Sequence, residues 1–280
     1  LAASAYHRPS RRYQQLALDA FDRARADGRR RAYLVLPPGA GKTVLGLEIA
    51  RRLGTKAVIL CPNTAVQAQW LQQWRDFEPA TAPISPDPGL TSPLTALTYQ
   101  AICHLDTDDA ELDETAATLW RDDIQSAEHA SPEEAEATLQ SLAAAGGERY
   151  RESFDAYRHK ARTLVTRGGE RPRMLALLHA NGRAVIERIK QTENTTLVLD
   201  ECHHLLETWG YLVRAIVEEL GDSVFVVGLT ATPPGGVDAR EARLYRDLFG
   251  QADFEVPTPA VVKEGDLAPY QELAYLTQPL

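Results

Sequence analysis

The sequence predicts an α/β fold, a parallel sheet flanked by helices and interrupted by an inserted helical segment. Three observations lead there. Apolar runs of strand type (residues 32 to 36, 57 to 61, 94 to 99, 195 to 199 and 223 to 229) alternate with stretches of helical apolar spacing. The first run breaks into a glycine-rich turn, and the fourth ends in adjacent acids, which an open α/β sheet places at its ligand-binding edge. Between the third and fourth runs, from about Asp106 to Pro172, the composition turns Ala-, Glu- and Leu-rich, with breaks at Ser131-Pro132, Gly146-Gly147 and Gly168-Gly169 that predict two or three inserted helices.

The first element is a helix over Arg12 to Phe21, which sets Gln14 and Gln15 just ahead of the first strand. A glutamine amide donates and accepts at once, which suits the edge of adenine. Two surface glutamines on an amphipathic helix would read the same way. After residues 32 to 36 comes Pro37-Pro38-Gly39-Ala40-Gly41-Lys42-Thr43, a phosphate-cradling loop. Gly39 and Gly41 let backbone N–H groups approach a polyphosphate, and the helix opening at Lys42 turns its positive end toward the same anion. Lys42 adds a cation and Thr43 a hydroxyl for magnesium. The strict phosphate-loop pattern wants glycine where this chain has Leu36.

The second strand, residues 57 to 61, runs into Pro62-Asn63-Thr64 and a capped helix carrying Trp70, read as a core residue. The third ends at Thr98-Tyr99-Gln100. Beyond the insertion, a helix from about Arg173 to Ile189 precedes the strand that ends in Asp200-Glu201-Cys202-His203-His204. Asp200 suits the metal side, since magnesium keeps several waters and takes few carboxylates from the protein. Glu201 is then free to orient and deprotonate a water. No Cys-x-x-Cys or His-x-x-x-His partner lies near these residues, so zinc is not predicted. A helix from Leu205 to Leu220 leads to the last strand and to Thr230-Ala231-Thr232-Pro233-Pro234, and a short helix spans Ala239 to Phe249.

These motifs, in this order, resemble the first RecA-like motor domain of superfamily two DEAD/DEAH-box-like helicases, in a variant whose acidic box reads Asp-Glu-Cys-His. The phosphate loop is similar to the family's Pro-x-Gly-x-Gly-Lys-Thr. The segment from Arg12 to Gln15 is similar to its Arg-Pro-Tyr-Gln helix, with Arg12 in place of the proline. The resemblance implies an ATP-dependent helicase or translocase. Gln14, Gln15, Pro38, Gly39, Ala40, Gly41, Lys42 and Thr43 would bind ATP, Thr43 and Asp200 magnesium, and Lys42, Asp200, Glu201 and His203 would serve hydrolysis. Asn63, Thr64, Thr98 and Tyr99 would contact nucleic acid, and Thr230 and Thr232 would couple the two. It also implies a second motor domain outside this chain, nucleic acid as partner with DNA ahead of RNA, and a fragment nearly inactive alone. A phosphate-loop phosphotransferase and a non-catalytic nucleotide-binding scaffold are the alternatives.

Composition bounds this reading. With 280 residues and 44% apolar content the chain suits a globular protein with a sizeable core, and the lack of an initiating Met suggests a partial chain. There is no apolar run of 18 residues and no leader pattern, and the three cysteines are scattered; no membrane span is predicted, and a cytoplasmic location is. The net charge of −9 is unevenly spread. Residues 1 to 60 hold twelve Lys/Arg against four Asp/Glu, whereas residues 105 to 148 hold thirteen acids and only Arg121. The acidic segment is expected to be a cap, a protein-partner surface, or a face that repels a polyanion.

Overall fold

The computed structural model describes residues 1, 3–78, 82–105, 110–168, 171–192, 194–205, 207–232 and 239–268. Asp106, Gly169, Pro233 and Pro234, named above, lie outside them. The chain opens with β1 (Ala5–Tyr6), α1 (Arg12–Ala26), β2 (Arg31–Val35), α2 (Lys42–Leu53), β3 (Ala57–Cys61) and α3 (Thr64–Gln73). Next come β4 (Phe77–Glu78), β5 (Ile84–Ser85), β6 (Leu94–Thr98) and α4 (Tyr99–Cys103). Three longer helices follow, α5 (Ala110–Glu128), α6 (Pro132–Ala145) and α7 (Glu148–Gly168). The chain then returns through α8 (Arg171–Ala176), α9 (Ala180–Lys190), β7 (Thr195–Leu199), α10 (Glu207–Leu220) and β8 (Val224–Thr230), and continues into α11 (Ala239–Phe249), β9 (Phe254–Glu255) and α12 (Thr258–Lys263).

Among the described residues, seven strands make one parallel sheet in the order β5-β6-β3-β7-β8-β2-β9, and β1 pairs antiparallel with β4 apart from it. All the central strands therefore end at one edge. Strand β8 lies between β2, which carries the phosphate loop, and β7, which carries the acids. Both faces of the sheet are covered. Ala32 and Leu34, with Ile59 and Val227, pack against α1, α2 and α3 through Phe21, Leu45 and Trp70. Tyr33 and Val35, with Val58 and Val226, face Ile186, Leu212 and Phe249 on the other side. Alternate side chains of one strand thus enter two different cores, which is why the strands read as unbroken apolar runs.

The predicted helix from Arg173 to Ile189 is two helices. At the break, Leu178 bridges Leu105, the His179 N–H donates to the His104 carbonyl at 2.8 Å, and the His179 ring accepts from Asn181 N–H to start α9. A tertiary bridge and a local cap replace the helical bonds there.

The helices α5, α6 and α7 pack through Trp120, whose ring stacks on Tyr150 at 5.5 Å and on Tyr157 at 5.2 Å. Leu112, Ala116 and Ala161 join the core shared with α10. Part of the acidity is answered internally: Arg158 and Lys160 of α7 pair with Asp113 and Asp123 of α5 at 2.5 and 2.9 Å, and Arg121 pairs with Glu136 at 3.0 Å.

Candidate nucleotide site

The loop from Leu36 to Gly41 takes the shape its glycines permit. Gly39 and Gly41 have φ of +76° and +82°, the left-handed region that costs a side chain with a Cβ. A Cβ on Gly41 would also stand 2.5 Å from the Gln14 amide nitrogen. The loop is braced from α1: the Tyr13 hydroxyl and the Gln14 side-chain N–H both donate to the Ala40 carbonyl at 3.0 Å, and Gln14 Oε1 accepts from Arg11 N–H at 2.9 Å. Arg11 in turn donates to the Tyr13 hydroxyl at 2.8 Å. A cavity of about 400 Å³ opens beside the loop, lined by Tyr6, Arg8, Arg11, Gln14, Gly39 and Gly41 among others. Gln14 lines it, while Gln15 is exposed to solvent and is not among its lining residues. Each polar atom of the Gln14 amide makes one bond here and has capacity for a second.

Lys42, 8% exposed, extends across the edge of the sheet to Glu201, with Nζ 3.1 Å from Oε1. The same Nζ lies 3.5 Å from the Leu36 carbonyl. Glu201 has φ of +47°, strained for a residue with a side chain, a conformation that costs on the order of 1–3 kcal/mol and clusters at functional sites. Its second oxygen, Oε2, is buried without a hydrogen-bond donor, 3.3 Å from His203 Nδ1.

Asp200 is 3% exposed. Its Oδ2 accepts from the Trp70 indole N–H at 2.6 Å and its Oδ1 from Glu201 N–H at 2.9 Å. Burial pushes its carboxyl up to about 6; the Trp70 bond opposes this, the Glu201 charge adds to it, and Lys42 opposes it. A carboxylate so short of solvent is one that a nearby cation would favour. Thr43, at the start of α2, is 8% exposed. Among the described residues no group of three or more His, Cys, Asp or Glu could hold a metal ion; the Thr43 hydroxyl and the Asp200 carboxylate are hard oxygen donors of the type magnesium takes.

Burial, followed by the neighbouring His204, lowers the His203 pKa, so the ring is neutral near pH 7. Thr230 donates its hydroxyl to the Thr232 carbonyl at 2.9 Å. It therefore accepts from His203 Nδ1–H, 2.9 Å away, which assigns the tautomer. Thr230 is fully buried and Thr232 is exposed. The hydrogen-bonded chain His203, Thr230, Thr232 thus leads from beside Glu201 to the surface along the end of β8.

The strand-contacting candidates divide. Asn63 and Thr64 are exposed at the start of α3, with Asn63 Oδ1 capping Val66 N–H at 3.0 Å; Thr98 Oγ1 caps Ala101 N–H at 3.2 Å. Tyr99 is completely buried, and its hydroxyl donates to the Asp200 carbonyl at 2.9 Å. Two contributors were not foreseen. The sequence pattern marks neither the Tyr13 hydroxyl nor a polar duty for the core residue Trp70.

The sheet order, the phosphate loop on β2 and the acidic box on β7 are consistent with a RecA-like domain. Residues 8–119 match the family model described as Type III restriction enzyme, res subunit. A stretch of 45 residues is 40% identical to a probable helicase D10 of Escherichia phage T5; it covers 15% of this chain and 10% of that protein. No described helix is long and apolar enough to cross a membrane.

Proposed function

We propose that this chain is the ATP-binding first motor domain of a helicase or translocase that couples ATP hydrolysis to movement on DNA. The reading is carried by one observation, Lys42 Nζ lying 3.1 Å from Glu201 Oε1 at the rim of the sheet, with buried Asp200 adjacent. In this reading the adenine lies in the cavity beside Gln14, and the amides of residues 39 to 43 receive the phosphates. Lys42 leaves Glu201 for the γ-phosphate, and Glu201 becomes free to orient and deprotonate the attacking water. Thr43 and Asp200 would hold magnesium, which when bound with the nucleotide neutralises charge on the β- and γ-phosphates. His203 and Thr230 relay the state of Glu201 to Thr232, and Asn63, Thr64 and Thr98 meet the backbone of the strand. A second motor domain would supply the cationic groups that complete the transition state.

The test is nucleotide affinity and ATP turnover, with and without single- and double-stranded DNA. Lys42→Ala should weaken ATP binding by about tenfold or more, the loss expected for a charge-assisted contact. Glu201→Gln should keep affinity within about twofold and, in a longer chain that carries the second motor domain, cut turnover by about 10²-fold or more. Unchanged turnover in both variants would refute the assignment.

A further inference from the structure

We infer that Trp70 is a positioning residue, through which the helix that meets the nucleic acid holds the carboxylate of the nucleotide site. The inference rests on the proposed function. Its geometry is that of α3. Asn63, Thr64, Ala65, Ala68 and Gln69 are exposed, and Trp70 is the one described residue of that helix that is buried. The helix is seated on the body of the domain by this buried indole, with partly buried Val66 and Leu71 packed against the same core and Gln67 donating to the Ala96 carbonyl at 2.7 Å.

The indole occupies a prepared slot. Gly46 of α2 lies directly under it, and a Cβ there would collide with the far edge of the ring and stand 2.9 Å from a Leu229 methyl of β8. The ring thus sits between the helix of the phosphate loop and the strand that ends in Thr230. A tryptophan needed only for packing could satisfy its N–H with a backbone carbonyl, as Trp74 does with Ala82 at 2.7 Å. Trp70 instead donates to Asp200 Oδ2 at 2.6 Å, a short charge-assisted bond. With Oδ1 taken by Glu201 N–H, both carboxylate oxygens are oriented: one by the loop of the acidic box, the other by α3. A displacement of α3 by a nucleic-acid backbone would act on one oxygen of Asp200 through a single side chain.

The experiment follows the indole N–H resonances of the ¹⁵N-labelled chain, four tryptophans in all, with Trp70→Phe assigning the one of interest. The Trp70 signal should move when magnesium and a non-hydrolysable ATP analogue are added, and again when a single-stranded oligonucleotide is added at saturating analogue. Replacing Trp70 by benzothienylalanine, which keeps the bicyclic shape and lacks the N–H, separates the bond from the packing. That variant should bind the analogue with magnesium about tenfold more weakly, and without magnesium within about twofold of the unsubstituted chain. A Trp70 resonance indifferent to both ligands, with equal magnesium-dependent binding in the isostere, would overturn the positioning role alone. Analogue binding unchanged by Lys42→Ala would overturn the nucleotide reading beneath it.

Discussion

Glu48 shows how single residues hold the phosphate-loop helix in place. It sits on α2 with 13% of its side chain exposed, taking Arg51 Nε at 2.7 Å and Arg52 Nε at 2.9 Å. Arg52 also pairs with Asp22 of α1. Burial alone would raise the Glu48 pKa; the bonds from Arg51 and Arg52 outweigh it and hold the carboxyl below its ordinary 4.5. A lowered pKa contributes stability that is present above 4.5 and lost as the pH falls through the lowered value. Glu48→Gln should therefore cost about 1 kcal/mol at pH 7, and denaturant titrations should show the gap closing as the pH falls below 4.5. Equal gaps at pH 7 and pH 3 would exclude this role. At this scale the sequence was readable where chemistry repeats along the chain. The glycines at 39 and 41, Lys42, Asp200 and Glu201 announce a ligand by type and order. Trp70 and Tyr99 did not, because their partner Asp200 lies 130 and 101 residues away and nothing in an apolar pattern says where a polar tip points.

At the scale of elements, strands were legible because both faces are buried, and helices where glycine or a cap ends them, as Gly54 ends α2 at φ +68°. The break between α8 and α9 was not, since it follows from a bridge to Leu105 that only the folded chain creates. Helix α3 bears the Trp70 bond to Asp200 and the residues proposed to meet a strand, and its N-terminus is secured by Asn63. Asn63→Ala should lower stability by about 1 kcal/mol through the lost cap. If Asn63 also meets a phosphate, the variant should in addition weaken DNA binding several-fold and reduce its salt dependence. Stability loss with unchanged DNA affinity would limit the residue to capping.

For the whole molecule, the charge asymmetry visible in the sequence survives folding only in part. Pairing with α7 neutralises Asp113 and Asp123, while Glu114, Asp122 and Glu133 are exposed. Deleting α5 to α7 would uncover the core shared by Leu112, Ala116 and Ala161, so a deletion tests folding before it tests electrostatics. Changing Glu114, Asp122 and Glu133 to their amides keeps the packing. If the segment repels a polyanion, DNA affinity should rise a few-fold at low salt and the gain should vanish at high salt, where the screening length falls to about 3 Å. Affinity equal at both would remove the repulsive role and leave the segment as a docking surface or cap.

The Lys42–Glu201 pair means that the cation of the glycine-rich loop is already answered by a carboxylate. Any incoming anion has to outbid a carboxylate already in place, and a singly or doubly charged ion has little with which to do so. Under the proposed function, a triphosphate would meet several amides at once and spread the contest over many contacts. Selectivity for the long polyanion over inorganic phosphate would then come from the internal rival on the lysine, with no additional wall around the loop.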